Sequence, residues 1–292
     1  MATAPVILRA SGRVAVRQAV SRASAYLFLG ASLVGVFVLF LLAYETISTG
    51  AGRLSWDFLT NYPSRFAERA GLRSSAIGSI WVLGLTVVLS LPIAIGTAIW
   101  IEEFAPRNKF LTIVKLNLAN LAGVPSIIYG VLGLAVFSRF FGFGSTIMAG
   151  AFTVSLMILP MTVIASQEAI RQVPSSIRDG ALALGASQWQ TVWYHVLPGA
   201  AAGIITGIIL AVSRAAGETA ALIMIGAFTF IAFDNTSPNE DFTTIPIQIY
   251  NWTIRPQEAF RENAAAAIIV LMVAVLSLNL LAAVIRERFR RA

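Results

Sequence analysis

An apolar segment carries two opposite charges near its middle. Residues 208–227 read "IILAVSRAAGETAALIMIGA", with Arg214 and Glu218 as the charged members. A charge at the centre of a bilayer costs about 2.5–3.5 kcal/mol on insertion scales, so such residues are rare and often functional. The planar guanidinium of arginine binds oxyanions through paired hydrogen bonds. The segment therefore suggests an anion site inside a membrane protein; a structural ion pair that joins two helices is the alternative.

The spacing of the two charges predicts that they touch. Four positions on a continuous helix correspond to about 40° around the axis, so Arg214 and Glu218 would share a face. Glu218 would then compete with an anion for the guanidinium and keep its affinity moderate, because transport needs release as well as binding. Gly217 would soften the helix or admit a ligand to the backbone, and Thr219 adds a hydroxyl. We predict that these four residues form a substrate pathway.

A row of small residues precedes the charged pair. Gly199, Gly203 and Gly207 are four positions apart, and Ala211 continues the row. Small residues at this spacing allow two membrane helices to approach closely. Residues four positions apart are rotated slightly around the helix axis, so the row of small residues turns toward the side that carries Arg214 and Glu218. We therefore expect the charged pair to face other helices or a cavity instead of lipid.

The composition indicates that the whole chain belongs in a membrane. Its 292 residues are 57% hydrophobic and 12% charged, with a mean hydropathy of +0.78, whereas a soluble domain carries about 25% charged residues. We predict an all-α, polytopic integral membrane protein. Its six membrane helices are expected at about 25–46, 76–101, 117–137, 145–165, 200–231 and 264–285.

The charge distribution predicts the topology. The net charge is +7, and the basic residues gather at the ends of apolar runs, which is typical of membrane topology signals and not of nucleic-acid binding. Most of the lysines and arginines lie on the cytoplasmic side of the membrane if both termini are cytoplasmic. The first apolar run is too long for a cleaved signal peptide, so we expect it to be retained. With no cysteine and one histidine, His195, we expect no metal site.

The predicted cytoplasmic loop at 166–198 is long and apolar. "SIRDGALALGA" predicts a short amphipathic helix, with Ser175 or Ser176 capping its first turn and Gly185 ending it. Ser187 is expected to cap a second helix. Apolar side chains on such a loop indicate a surface that docks a partner, and an interfacial helix that lies on lipid is the alternative.

This loop resembles a cytoplasmic motif of ABC-importer permeases. The motif reads acidic residue, Ala, Ala, three residues, Gly, nine residues, Ile, one residue, Leu-Pro. The residues in matching positions are Asp179, Gly180, Ala181, Gly185, Leu197 and Pro198. This chain departs from the motif with Asp179 for Glu, Gly180 for the first Ala and His195 for Ile. The resemblance implies a coupling helix that inserts into a groove of a separate ATPase subunit.

The charged segment points to a narrower family. "SRAAGETAALI", "LAGVPSIIYGVLGL" at 121–134 and "FTTIPIQIYNW" at 242–252 resemble the phosphate-specific (Pst) ABC permeases, and their A subunit more than the homologous C subunit. The resemblance extends from about residue 70 to the C-terminus. It implies a type I ABC importer permease in a bacterial plasma (inner) membrane, forming half of a heterodimer that conducts inorganic phosphate.

The same resemblance implies the partners. These are a homologous permease (PstC-like), a dimer of ATP-binding subunits (PstB-like) and an extracytoplasmic phosphate-binding protein (PstS-like). Neither of the two lysines, Lys109 and Lys115, lies in a phosphate-binding loop. We therefore expect no cofactor in this chain and no enzymatic activity of its own, with ATP held by the partner subunit.

Three other functions are compatible with the sequence. They are a permease for sulfate or molybdate, a self-contained secondary anion transporter or channel, and a membrane scaffold or sensor. The outside loop at 232–263 is either partly ordered, as short helices or a docking surface, or an ordinary solvated loop. The expected division is a cytoplasmic tail at 1–24, a first helix with its outside loop at 25–71, a permease core at 72–285 and a basic tail at 286–292.

Overall fold

A computed structural model describes residues 12–227 and 230–291, and these residues are helical apart from the connecting loops and one isolated bridge. The helices are α1 (Gly12–Gly50), α2 (Trp56–Thr60), α3 (Arg73–Ile99), α4 (Lys109–Ala122), α5 (Ser126–Gly133), α6 (Ile147–Arg171), α7 (Ser175–Ala183), α8 (Gln188–Thr191), α9 (Leu197–Ala216), α10 (Ala220–Ile225), α11 (Ile245–Thr253) and α12 (Glu258–Arg291). Wider π-helical turns extend α3 to Phe104 and α5 to Phe140, and they join α8 to α9.

The described part of the chain contains five helices long and apolar enough to cross a membrane. They are Val16–Arg53, Arg73–Phe104, Ile147–Arg171, Gln188–Ala216 and Glu258–Arg288. A sixth span exists if α4 and α5 count as one, but these helices meet at an angle of 101°. The prediction of an all-α membrane protein is confirmed. The third predicted run, 117–137, is broken at Pro125, which lacks an amide hydrogen: α4 ends at Ala122 and α5 begins at Ser126.

The predicted helix at 200–231 is also interrupted. α9 ends at Ala216, and α10 begins at Ala220 and stops at Gly226, whose φ of +89° is left-handed. Glycine adopts this conformation without steric cost, so it ends the short helix there. Residues 228 and 229 lie outside the described part.

The terminal helices extend into both predicted tails. α1 already begins at Gly12, so residues 12–24 of the predicted N-terminal tail are helical. α12 likewise continues through the basic segment to Arg291. Residues 1–11, which include Arg9 of the predicted tail, lie outside the described residues, as does residue 292.

The core is built around α6. Ile147, Val154 and Ile158 on this helix are at most 1% exposed, and α6 packs against α3, α4, α5 and α9. α1 is exposed along most of its length and packs against α12. At its end, a Cβ on Gly50 would lie 2.5 Å from the Ala265 carbonyl carbon, so only glycine permits this approach.

The segment at 232–263 is partly helical, and its stretch 242–248 is buried. Ile247, Gln248 and Trp252 of α11 are at most 1% exposed, and the Trp252 ring lies 5.8 Å from that of Phe58. The prediction of short helices is confirmed, and the solvated-loop alternative is wrong. The strand-like bridge between Thr146 and Asp241 holds the segment against the start of α6.

An exposed ion pair lies at the end of the bundle that contains the start of α3. The Arg73 Nε donates to Asp234 Oδ1 at 2.9 Å, and Nη2 donates to Oδ2 at 2.5 Å. This hydrogen bonding holds the pKa of Asp234 below its ordinary value. The pair ties the start of α3 to the loop that follows α10.

Candidate functional site

Arg214 and Glu218 lie on opposite sides of a helix end. Arg214 is in the last turn of α9, and the chain leaves the helix at Gly217, with φ −94° and ψ 1°. The Gly217 N–H donates to the Arg214 carbonyl at 3.3 Å, which closes a turn instead of continuing the helix. No ion pair joins Arg214 to Glu218 in the ranges that the structure describes. The expectation that the pair touches on one helix face is therefore wrong.

Glu218 organises the restart of the helix. Its side chain is buried, and Oε1 accepts a hydrogen bond from the Ala221 N–H at 3.1 Å. The first N–H groups of a helix lack intrahelical partners, so this carboxylate satisfies one of them in α10. Thr219 donates its hydroxyl to the Gly217 carbonyl at 3.3 Å. Both residues, predicted to be part of a substrate pathway, hold the interrupted backbone in this conformation.

Glu218 also lines an apolar cavity of about 330 Å³ between α3, α9, α11 and α12. Arg214 is not part of that lining and points elsewhere. The structure thus separates the two charges that the sequence placed together.

Arg214 is exposed and lacks a carboxylate partner among the described residues. Its Nη1 lies 3.8 Å from the Met161 sulfur on α6, a weak acceptor. The guanidinium is also close enough to Tyr129 on α5 to interact with it electrostatically. An unpaired cation at membrane depth is stable only in a cavity with water or beside a polar partner. Most hydrogen-bonding capacity of Arg214 is therefore available to an anion.

Two broken helices meet beside Arg214. The Tyr129 hydroxyl donates to the Leu121 carbonyl at 2.8 Å and so bridges the α4–α5 break. A Cβ on Gly130 would lie 2.7 Å from the Ala221 carbonyl oxygen, so α5 approaches α10 directly after the second break. Irregular backbone at membrane depth occurs where it is buried in protein or lines a cavity, and interrupted helices often form transporter binding sites.

Tyr129, Gly130 and Met161 are not among the predicted site residues. "GVP" at 123–125 signals a helix break, but the contact of that break with the second one depends on tertiary packing.

The glycine row of α9 lies against α6. A Cβ added to Gly203 would be 2.7 Å from the Ala169 Cβ, and one added to Gly207 would be 2.6 Å from the Ala165 Cβ. At Gly199 the nearest atom, the Val173 Cγ2, would be at 3.5 Å. The two helices thus approach most closely in the turns before Arg214 and fix its position relative to Met161.

We expect Gly203→Ala to destabilise the protein, because its new Cβ overlaps Ala169 and overpacking costs about 1–3 kcal/mol. Gly199→Ala is the matched control, since its Cβ would make an ordinary contact. Thermal unfolding in detergent should give a lower Tm for Gly203→Ala only. Equal Tm values for the two variants would contradict the close packing.

The coupling-loop residues form a helical turn at one end of the bundle. α7 follows Pro174 and has no side-chain cap, so the predicted capping by Ser175 or Ser176 is wrong. Gly185 ends the helix with φ +88°. Ser187 caps α8 reciprocally with Gln190, as predicted.

The loop presents apolar side chains to its surroundings. Leu184 is 91% exposed, Leu182 48% and Ile177 41%, while Ala181 packs inward. The remaining motif positions Asp179, Gly180, Pro198 and the neighbouring His195 are exposed, and Leu197 is half-buried. No segment of the part of the chain that the structure describes covers this surface, and it suits a protein partner.

An ion pair holds the loop against the end of α3, and sequence spacing does not reveal it. The Arg178 Nη2 donates to Glu103 Oε1 at 2.6 Å and also to the Ile170 carbonyl at 3.0 Å. Gln188 donates to the Glu103 carbonyl. The Glu103 side chain is only 8% exposed. Both ends of the loop are thereby held to the π-helical end of α3.

We expect Gly185→Ala to distort the coupling loop, because a residue with a Cβ is strained at φ +88° by about 1 kcal/mol or more. Gly180→Ala is the control: Gly180 is helical, has open space around its Cβ position, and should gain about 0.5–1 kcal/mol of helix stability. Limited proteolysis of the loop should accelerate in Gly185→Ala and not in Gly180→Ala. Unchanged cleavage in Gly185→Ala would oppose this assignment.

The helix bundle, the interrupted helices and the exposed coupling loop together define a membrane-embedded transport subunit. Residues 90–291 match the family model described as "Binding-protein-dependent transport system inner membrane component". The chain belongs to this family, whose members are ABC transporter permeases. It is a multi-pass transport subunit and not an enzyme. It works with an ATPase and a substrate-binding protein.

Curated relatives give a narrower comparison. The chain is 32% identical over 262 residues to a probable ABC transporter permease protein, YqgI, of Bacillus subtilis (85% of this chain, 89% of the relative). It is 31% identical over 251 residues to the phosphate transport system permease protein PstA of Haemophilus influenzae (85% of this chain, 87% of the relative).

Solved structures support the fold. A bacterial ABC transporter involved in alginate import matches with a TM-score of 0.65 at 17% identity, covering 93% of this chain and 99% of the other. The MetNI methionine ABC transporter in an inward-facing conformation matches with a TM-score of 0.60 at 17% identity, covering 73% and 94%. At this identity the likeness establishes the type I importer permease fold alone.

Proposed function

We propose that the chain is one permease subunit of an ATP-driven importer of inorganic phosphate, and that Arg214 binds phosphate in transit. The observation that carries the proposal is the exposed guanidinium of Arg214, without a carboxylate partner in the described ranges, beside two interrupted helices. Arginine donates paired hydrogen bonds to phosphate oxygens. Similarity to permeases named for phosphate transport supports this substrate.

The exposed position of Arg214 suggests that a second permease completes the pathway. A single chain leaves the guanidinium open, and an enclosed pathway needs a second wall. We infer a heterodimer with a PstC-like permease, a PstB-like ATPase dimer on the coupling loops and a PstS-like binding protein outside. Both termini then lie in the cytoplasm, and the chain spans the bacterial cytoplasmic membrane.

Release of phosphate needs a different explanation from competition by Glu218, because that carboxylate caps α10. ATPase closure would push α7, and the Glu103–Arg178 pair would pass the movement to α3. Since Arg214 lies next to the interrupted backbone at 217–219, a small rearrangement of this turn would change its position. Access would then alternate between the two sides of the membrane.

The proposal is tested with the co-purified complex in proteoliposomes that contain ATP. We expect accumulation of radioactive phosphate that depends on ATP and on the binding protein, with no reduction by a tenfold excess of sulfate or molybdate. Uptake without ATP would instead favour a self-contained secondary transporter, and displacement of phosphate by sulfate or molybdate would assign another oxyanion.

A further inference from the structure

A second cationic site lies apart from Arg214, at the end of the bundle that carries the coupling loop. It is a cavity of about 710 Å³ between the end of α3, the start of α4 and the end of α6. Four cations and one carboxylate line it: Arg107, Lys109, Lys115, Arg171 and Glu102. The proposed phosphate pathway uses none of these side chains.

The inner charges of this cavity are paired with one another. Glu102 Oε1 accepts from Lys115 at 3.0 Å, from Arg171 at 2.9 Å and from Gln167 at 2.5 Å. Arg171 also donates to Glu168 at 2.9 Å on the exposed side. One carboxylate thus organises two cations at the floor of the cavity and joins α3, α4 and α6.

The outer cations remain available. Arg107 and Lys109 are exposed, and neither side chain has an ion pair or hydrogen bond within residues 12–227 and 230–291. Between them, Asn108 caps α4 by accepting from the Leu111 N–H at 3.0 Å, which fixes the backbone that carries both cations. The cavity opening is therefore positively charged, and the Asn108 cap holds its backbone to the start of α4.

An apolar strip follows Lys109 along α4. Ile113 and Leu116, four and seven positions after Lys109, share its helix face and are 56% and 59% exposed, and Phe110 beside them is 63% exposed. A hydrophobic strip next to a cationic recess is complementary to a phospholipid, whose phosphate is anionic and whose acyl chains are apolar. Basic pockets between helices at the cytoplasmic side of membranes bind anionic headgroups in this way.

We propose that this cavity binds the headgroup of an anionic phospholipid. Arg107 and Lys109 contact the phosphate, and an acyl chain lies along Phe110, Ile113 and Leu116. Free inorganic phosphate shares the headgroup chemistry but leaves the apolar strip uncovered. The bound lipid would brace the ends of α3, α4 and α6 next to the coupling loop.

The test uses the full complex, purified in neutral detergent, with three additives: phosphatidylglycerol, phosphatidylcholine or inorganic phosphate. The variant Arg107→Gln/Lys109→Gln removes the two free cations. The matched control, Arg17→Gln/Arg22→Gln, removes two exposed arginines from α1 and so changes the net charge equally. Retained lipid is measured by native mass spectrometry and stabilisation by the shift in Tm, so neither readout depends on transport.

We expect wild type and control to retain phosphatidylglycerol and to gain Tm from it, and not from phosphatidylcholine or inorganic phosphate. The cavity variant should bind phosphatidylglycerol at least about tenfold more weakly. Equal lipid retention by the cavity variant would overturn the proposal. Stabilisation by inorganic phosphate alone would also overturn it and would assign the cavity to a free anion. If the cavity variant kept its lipid but lost the ATPase subunit, the cavity would be assigned to a protein partner.

Discussion

Replacing Arg214 with glutamine abolishes phosphate uptake in the assembled transporter, according to the proposed role of this residue. Within residues 12–227 and 230–291 the one hydrogen bond of this side chain is the weak one to the Met161 sulfur, so the fold loses little when it is changed. The lost interaction is the charge-assisted pair of hydrogen bonds to phosphate, each worth about 1.5–3 kcal/mol. We therefore expect uptake to fall at least about a hundredfold, with normal co-purification of the partner subunits.

Two further variants separate charge, geometry and capping. Arg214→Lys keeps the charge but not the planar fork, so intermediate uptake is expected. Glu218→Gln keeps an oxygen that can accept from the Ala221 N–H, so near wild-type uptake is expected. Tighter phosphate binding with slow release in Glu218→Gln would instead restore the idea that the two charges compete. Wild-type uptake by Arg214→Gln would contradict its role altogether.

Glu103→Ala is expected to uncouple ATP hydrolysis from transport. The substitution leaves the half-buried Arg178 without its carboxylate, and breaking a buried pair from one side costs about 3–5 kcal/mol. The loop would lose its attachment to α3 through Arg178 and keep the hydrogen bond from Gln188 to the backbone carbonyl of residue 103, and the apolar residues that dock the ATPase remain. We expect ATPase activity to persist and ATP-driven phosphate uptake in proteoliposomes to fall about tenfold or more.

Glu168→Ala provides the matched control for this prediction. Glu168 also pairs with an arginine at the same end, Arg171, but both side chains are about half exposed. Exposed pairs contribute about 0–1 kcal/mol, so uptake should change little. If Glu103→Ala and Glu168→Ala had the same ratio of phosphate imported to ATP hydrolysed, the Glu103–Arg178 pair would have no special part in coupling.

The elements governed by local pattern could be predicted from the sequence. Apolar runs of sufficient length predict the membrane helices, and the capping pattern at Ser187 predicts the start of α8. The four-residue spacing of Gly199, Gly203 and Gly207 predicts close helix packing, although the partner helix, α6, is not evident from it. These features depend on neighbours a few residues apart.

The interrupted site could not be predicted in the same way. The run through Gly217 is apolar on both sides, so its periodicity fits one helix as well as two. The break is held by Glu218 as a cap and by the approach of Gly130 to Ala221, which lie 91 positions apart in the chain (221 − 130). Likewise the Glu103–Arg178 pair joins residues separated by 75 positions. Such contacts follow from the packed fold and leave no short-range signal.

The central claim is that the turn beside Arg214 lines a water-accessible path for phosphate, and thiol labelling tests it directly. The chain has no cysteine, so Gly217→Cys introduces a single thiol into it. Among the described residues, the nearest atom to the added Cβ is the Arg214 carbonyl oxygen, at 3.9 Å. Gly35→Cys on α1 is the control, with open space around it on the exposed face of that helix.

The partner subunits are used in cysteine-free form, and a charged, membrane-impermeant thiol reagent is applied to the complex during turnover. We predict that Gly217→Cys reacts, that Gly35→Cys in the lipid-facing helix does not, and that phosphate supplied with its binding protein slows the reaction at Gly217→Cys. Failure of Gly217→Cys to react in any state, or a rate that phosphate leaves unchanged, would contradict the account.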